Sequence, residues 1–268
     1  MIKINLEVHK IHHKTSSEIL EISGFRILPQ NNSRNVSILY LPGFGDSFLN
    51  HIPFFDTLAR EGYEIIGFDY PGSGSARGSL SKMKIIGNKE YELKTIAKLI
   101  WETLATNKEK KTALSWCIGS LVAIQLTHEG WLTNNIMLAP SYKSRIGTIF
   151  ILDREKHLSS VDKNDNTHII PIRPRSPLQV LPFSLNIKMS ARKIEKLKIS
   201  QTIKGLVFAT ADRDKFIHGG EYLRRRVQET APHFEMVDFS DSKHEIHNES
   251  IEIRNRALQK IIHWLSQI

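Results

Sequence analysis

Five short apolar runs constrain the fold more than any other feature of this chain. They cover residues 36–41 (VSILYL), 64–68, 112–115, 135–138 and 205–211. None shows the strict alternation of a strand with one wet face. Runs of this length and character read as strands buried on both sides, the habit of a parallel sheet. Helical stretches follow them. Phe54, Phe55, Leu58 and Ala59 recur at helical spacing before Gly62. Further helices are predicted over 90–106, from Cys117 to 128, over 219–229 and over 250–265, with a last strand over 234–239. Strand and helix therefore alternate, which predicts an α/β fold: a mostly parallel central sheet with helices on both faces. Upstream, Ile2, Ile4, Leu6 and Val8 alternate with polar residues, and Ile19, Leu20 and Ile22 form a second apolar stretch. These predict a hairpin or meander at one edge.

The alternation fails between 141 and about 202. This segment holds Pro171, Pro174, Pro177 and Pro182, and from 141 to 204 it carries 13 lysines and arginines against five acidic residues. The chain's net charge is +9, so nearly all the excess sits here. The expected organisation is a core over 1–140 and 205–268 with a basic lid or cap insertion over 141–204, including a short helix near 190–197. A concentrated positive field attracts anionic ligands. There is no recognised nucleic-acid motif and no aromatic interleaving in the basic segment, so no nucleic-acid partner is expected. No stretch approaches the roughly 18–20 apolar residues that span a bilayer, and no apolar run of signal-peptide length opens the chain. One cysteine cannot form an internal disulfide. The expectation is a cytoplasmic protein with no transmembrane segment.

That cysteine sits in Ser115-Trp116-Cys117-Ile118-Gly119, where a predicted strand runs into a predicted helix. A nucleophile on such a sharp turn needs small residues two positions away on each side, and the helix N-terminus beyond it favours negative charge. Downstream, the strand over 205–211 leads into Asp212-Arg213-Asp214, and the last strand leads into Ser242-Lys243-His244. Asp214 is the stronger candidate acid and Asp212 the alternative. His244 is the stronger candidate base and His247 the alternative, with Asn248 read as the cap of the final helix. Cysteine, acid and histidine in that order can form a catalytic triad. His9, His12 and His13 cluster near the N-terminus without a ligand set to complete a metal site, and His51 and His218 are candidate pocket residues. No metal or organic cofactor is called for.

These motifs resemble those of the α/β-hydrolase superfamily over nearly the whole chain. Leu41-Pro42-Gly43-Phe44-Gly45 resembles the family's His-Gly-x-Gly loop, with Pro42 in place of His. Asp69-Tyr70-Pro71-Gly72-Ser73-Gly74-Ser75 resembles its Asp-x-x-Gly-x-Gly-x-Ser loop, with the last serine one residue early. The resemblance implies an oxyanion hole from the backbone N–H groups of Phe44 and Ile118. It implies an acyl hydrolase, a thioesterase or carboxylesterase working through an acyl-cysteine intermediate on a small-molecule ester or thioester. Trp116-Cys117-Ile118-Gly119-Ser120 is similar to the Cys-x-Gly-Gly box of polyhydroxyalkanoate synthases, and the layout from 79 to 93 and from 211 to 244 is similar to acyl-carrier-protein thioesterases of luminescent bacteria. With the basic lid, these suggest an anionic donor linked to coenzyme A or acyl carrier protein. The alternatives are a lysophospholipase- or monoacylglycerol-lipase-like esterase and a non-catalytic ligand-binding protein on the same fold.

Overall fold

The computed structural model describes residues 4–143 and 177–268, apart from 212, 215 and the side chains of 177–180. Eight strands form one sheet: β1 (Leu6–Lys14), β2 (Ile19–Ile27), β3 (Ser37–Leu41), β4 (Glu64–Phe68), β5 (Thr112–Trp116), β6 (Asn134–Leu138), β7 (Lys204–Ala209) and β8 (Glu235–Asp238). Their order is β1-β2-β4-β3-β5-β6-β7-β8. β1 and β2 pair as an antiparallel hairpin, and β2 runs antiparallel to β4. Every pairing from β4 to β8 is parallel. Each residue of β3, β4, β5 and β6 is buried, as unbroken apolar runs require of central strands covered on both faces.

Among the described residues six helices cover the two faces: α1 (Ile52–Arg60), α2 (Leu93–Leu104), α3 (Gly119–His128), α4 (Pro177–Ile194), α5 (Gly220–Thr230) and α6 (Ile251–Leu265). Apolar residues of α2, α3, α4 and α5 pack in one core with Leu39, Ile66 and Val207. Those of α1 and α6 pack in a second core with Ile38, Tyr40 and Phe208. Successive residues of one strand thus feed opposite cores, as the pleat dictates.

The described part of the 141–204 segment is one long helix, not the short helix near 190–197 that its prolines suggested. Pro177 is the first helical residue, where the missing N–H is no loss. Pro182 lies inside the helix. Phe183, Ile187, Ala191 and Ile194 are buried at helical spacing and dock α4 on the sheet's first core. Asn186 fastens it further: its Oδ1 accepts from the Ile85 N–H at 2.7 Å and its Nδ2 donates to the Ile86 carbonyl at 2.8 Å. The rest of the expected lid, residues 144–176, lies outside the described residues.

Candidate active site

Parallel strands deliver their C-terminal ends to one edge of the sheet, the usual place for a site in an open α/β fold. Between β5 and α3 only Cys117 and Ile118 intervene. Cys117 has φ +52°, in the left-handed region that a residue with a Cβ enters at a cost of roughly 1–2 kcal/mol. The turn is held by three backbone hydrogen bonds. The Cys117 N–H donates to Leu138 at 3.2 Å, and its carbonyl accepts from Ser120 at 3.2 Å and Ser141 at 3.1 Å. Gly119 must be glycine, because a Cβ there would stand 2.1 Å from the Leu41 carbonyl oxygen. Ser115 is buried and fits by bonding: its hydroxyl donates to the Ile136 carbonyl at 3.1 Å and reaches the Ser120 hydroxyl at 3.2 Å. Cys117 itself is half-buried.

His244 and Asp214 arrive from the ends of β8 and β7. His244 Nδ1 lies 2.8 Å from Asp214 Oδ2, and both side chains are buried. Asp214 is fully engaged. The Thr210 hydroxyl donates to Oδ2 at 2.7 Å, and the Phe216 and Ile217 N–H groups donate to Oδ1 at 2.9 and 3.2 Å. Burial disfavours its charge, but the His244 charge and these hydrogen bonds outweigh that and hold the carboxyl below the usual range. His244 moves the other way. Burial pulls it down, but Asp214 first and then the Cys117 thiol raise it well above an ordinary histidine. Its Nε2 is buried without a well-aligned partner among the described residues. Cys117 is thus the neighbour of His244 that, after Asp214, favours its charged form. Asp212, the alternative acid, lies outside the described residues.

The loop after β3 and the loop after β4 are tied through Asp69. Its carboxylate accepts from the Ser47 hydroxyl at 3.0 Å, the Phe48 N–H at 2.8 Å, and the Ser75 N–H and hydroxyl at 2.7 and 2.9 Å. Burial nevertheless pushes its pKa up. Ser75 reaches Asp69 despite its early position because Gly74 takes φ +50° against the carboxylate, where a Cβ would meet Asp69 Oδ2 at 2.2 Å. Pro42, in the place of a histidine, offers its carbonyl to the Tyr70 hydroxyl at 2.7 Å. Two residues on, the ring of Phe44 stacks on Phe183 of α4 at 5.9 Å. Neither the Phe44 nor the Ile118 N–H donates to a protein acceptor among the described residues.

Trp116 was not singled out from sequence. Its indole N–H donates to the His244 carbonyl at 2.9 Å, and its ring packs 5.3 Å from the His244 ring. On its other side lie His51 and His247. Asp46, His51 and His247, all buried, are the described residues whose ligand-type atoms converge within 4.8 Å of one another and could hold a metal. Here they serve one another. His51 Nε2 is 2.6 Å from Asp46 Oδ2, the Tyr40 hydroxyl donates to the same oxygen at 3.0 Å, and the Asn248 amide donates to His51 Nδ1 at 3.1 Å. Tyr40 also reaches His247 Nε2 at 3.4 Å. The histidine that bonds Asp214 is His244, while His247 packs in this cluster, and Asn248 is spent on His51 and not on the cap of α6. The His218 backbone N–H donates to the Lys143 carbonyl, His9 bonds its near neighbour Glu7, and His13 bonds the distant Glu90 carbonyl.

Among the described residues no helix is long and apolar enough to cross a membrane. A family model described as alpha/beta hydrolase fold matches residues 36–136. No curated protein sequence matches the chain. Solved structures similar over almost the full length include a monoglyceride lipase from Saccharomyces cerevisiae bound to a substrate analogue, at 13% identity and TM-score 0.74, covering 99% of this chain and 97% of that one. A monoacylglycerol lipase from Paleococcus ferrophilus follows at 15% and 0.66, covering 92% and 98%. A thermostable carboxyl esterase from Bacillus coagulans in complex with glycerol stands at 16% and 0.63, covering 97% and 98%. Strand order, elbow and loops agree with these comparisons, and the chain has the α/β-hydrolase fold.

Proposed function

We propose that the protein is an ester or thioester hydrolase that works through an acyl-Cys117 intermediate. The observation that carries this reading is the left-handed elbow that presents Cys117 beside a buried His244–Asp214 pair. In the first step His244 Nε2 takes the thiol proton, and the sulfur attacks the acyl carbon. The Phe44 and Ile118 N–H groups receive the negative charge that develops on the carbonyl oxygen. The C–O or C–S bond to the leaving group breaks, and His244 returns the proton to it. In the second step a water loses its proton to His244 and attacks the acyl-sulfur bond, releasing the acid and restoring the thiol. Asp214 fixes the tautomer with Nδ1–H toward itself and stabilises the imidazolium. No step calls on a metal or cofactor.

Two donor classes follow. A thiolate exchanges readily with thioesters, and the basic 141–204 segment suits an anionic carrier such as coenzyme A or acyl carrier protein. The second reading is a monoacylglycerol-lipase-like esterase, favoured by the two lipases among the similar structures. A panel of acyl thioesters and oxygen esters, followed by intact-mass spectrometry, tests the proposal. The expected result is a mass gain equal to the acyl group in wild type, none in Cys117→Ala, and accumulation in His244→Ala if it forms at all. Turnover that survives both Cys117→Ala and His244→Ala overturns it. Saturable binding without turnover or adduct would instead support a non-catalytic binding protein.

A further inference from the structure

Two helices and one loop bring five cations around one cavity. On α4, Lys188, Arg192 and Glu195 share one face at spacings of four and three residues. On α5, Tyr222, Arg225 and Arg226 do the same. Lys143 closes the third side from the loop after β6. The cavity, open to solvent on one side, has a volume of about 440 Å³, within the range of small-molecule sites. Among the described residues Glu195 is the one carboxylate on the lining, and it is engaged by the Tyr222 hydroxyl at 2.6 Å. Lys143, Arg225 and Arg226 all approach the Tyr222 ring, at 5.3, 5.9 and 5.5 Å. Among the described residues Lys143, Lys188 and Arg192 form no ion pair, while Arg225 and Arg226 share Glu229. Two buried polar atoms on the lining residues, Tyr142 Oη and Arg226 Nε, have no well-aligned hydrogen-bond partner among the described residues.

Like charges gathered this way repel one another unless an anion joins them. Arginine forks and lysine ammonium groups, crowded with unmet donors, match phosphate oxygens. A short stretch of chain links the cavity to Cys117. Ser141 donates to the Cys117 carbonyl at 3.1 Å, and Tyr142 and Lys143 follow it directly. The Lys143 backbone is therefore within roughly 12 Å of that of Cys117.

We propose that this cavity binds the phosphate groups on the leaving-group side of the acyl donor. The assignment rests on the acyl-transfer reading of Cys117 and narrows it to donors whose leaving group carries a phosphate monoester or diphosphate. Coenzyme A supplies that chemistry, and so does a glycerol phosphate headgroup.

The test has two independent arms. The first is calorimetric titration with inorganic pyrophosphate, which needs no turnover. Wild type should bind it, and the double charge reversal Lys188→Glu with Arg192→Glu should weaken it about tenfold or more, as loss of charge-assisted contacts predicts. The milder Lys188→Gln with Arg192→Gln should weaken it in the same direction if the reversal impairs folding. Lys108→Glu, an exposed site paired with Glu102 elsewhere on the surface, controls for net charge. The second arm compares kcat/KM for octanoyl-CoA against S-octanoyl-N-acetylcysteamine, and for octanoylglycerol phosphate against octanoylglycerol. Whichever phosphorylated donor is favoured identifies the source. That preference should fall about tenfold in the double variants and persist in Lys108→Glu. Failure of wild type to bind pyrophosphate, or equal binding by the double variants, overturns the site. A preference that persists in the double variants overturns its link to catalysis. If no donor is turned over, the acyl-transfer reading falls while the pyrophosphate titration still decides the cavity.

Discussion

The positive φ of Cys117 costs on the order of 1 kcal/mol, and three backbone hydrogen bonds with a glycine two residues on hold it in place. Gly119→Ala should therefore destabilise by about 3 kcal/mol, because its Cβ meets a backbone carbonyl at 2.1 Å that no rotamer can relieve. Urea unfolding checks this, and a loss below 0.5 kcal/mol would contradict the packing argument. Thr210 makes a second residue-scale prediction. Its hydroxyl donates to the Asp214 oxygen that faces His244, so Thr210→Val should lower kcat about tenfold and shift the acidic limb of the rate profile upward. An unchanged profile would make Thr210 merely structural. Cys117, Asp214 and His244 were legible in sequence because each follows a predicted strand at a fixed short distance. Thr210 was not, since a threonine ending a buried strand matches ordinary β-propensity. Trp116 was invisible for another reason: its partner is a backbone carbonyl 128 positions away.

At the scale of elements, the central strands were readable because double burial writes itself as continuous apolar runs, and β3 to β7 begin and end within two residues of the expected positions. α4 was misread because four prolines suggest irregular chain, whereas Pro177 starts the helix and Pro182 sits within it. What secures α4 is tertiary: Phe183 against Phe44, and the Asn186 amide spanning Ile85 and Ile86. Asn186→Ala leaves an N–H and a carbonyl in a partly buried seam without their partners. The expected cost is about 2 kcal/mol, with faster proteolysis within α4 than elsewhere. Limited proteolysis with mass mapping reads this directly, and cleavage first at a site distant from α4 would count against the anchoring role.

Across the whole molecule, the two cores meet the site through one charge pair whose members shift in opposite directions. His244 is raised well above its ordinary value of 6.5, so the stability it contributes is fully present below about pH 6.5 and is lost as pH rises through its folded value. Asp214 is lowered from its ordinary 3.8, so its contribution is present above about pH 4 and is lost as pH falls through its folded value. The window in which both contribute therefore runs from roughly pH 4 to 6.5, with a decline on either side. Asp214→Asn removes the charge that raises His244. The stability difference between wild type and Asp214→Asn should be largest near pH 5 to 6 and shrink steadily toward pH 9, when each is unfolded in urea across that range. The sign is diagnostic. A difference that grew with pH would mean His244 is held neutral in the fold, as a desolvated histidine without an ionised partner would be. The same variant links stability to catalysis, because the carboxylate that stabilises the fold at mild acid pH is the one proposed to orient the base. Its kcat should fall by about three orders of magnitude at neutral pH while the fold persists. A variant that kept its activity would separate the two roles and leave Asp214 a purely structural charge.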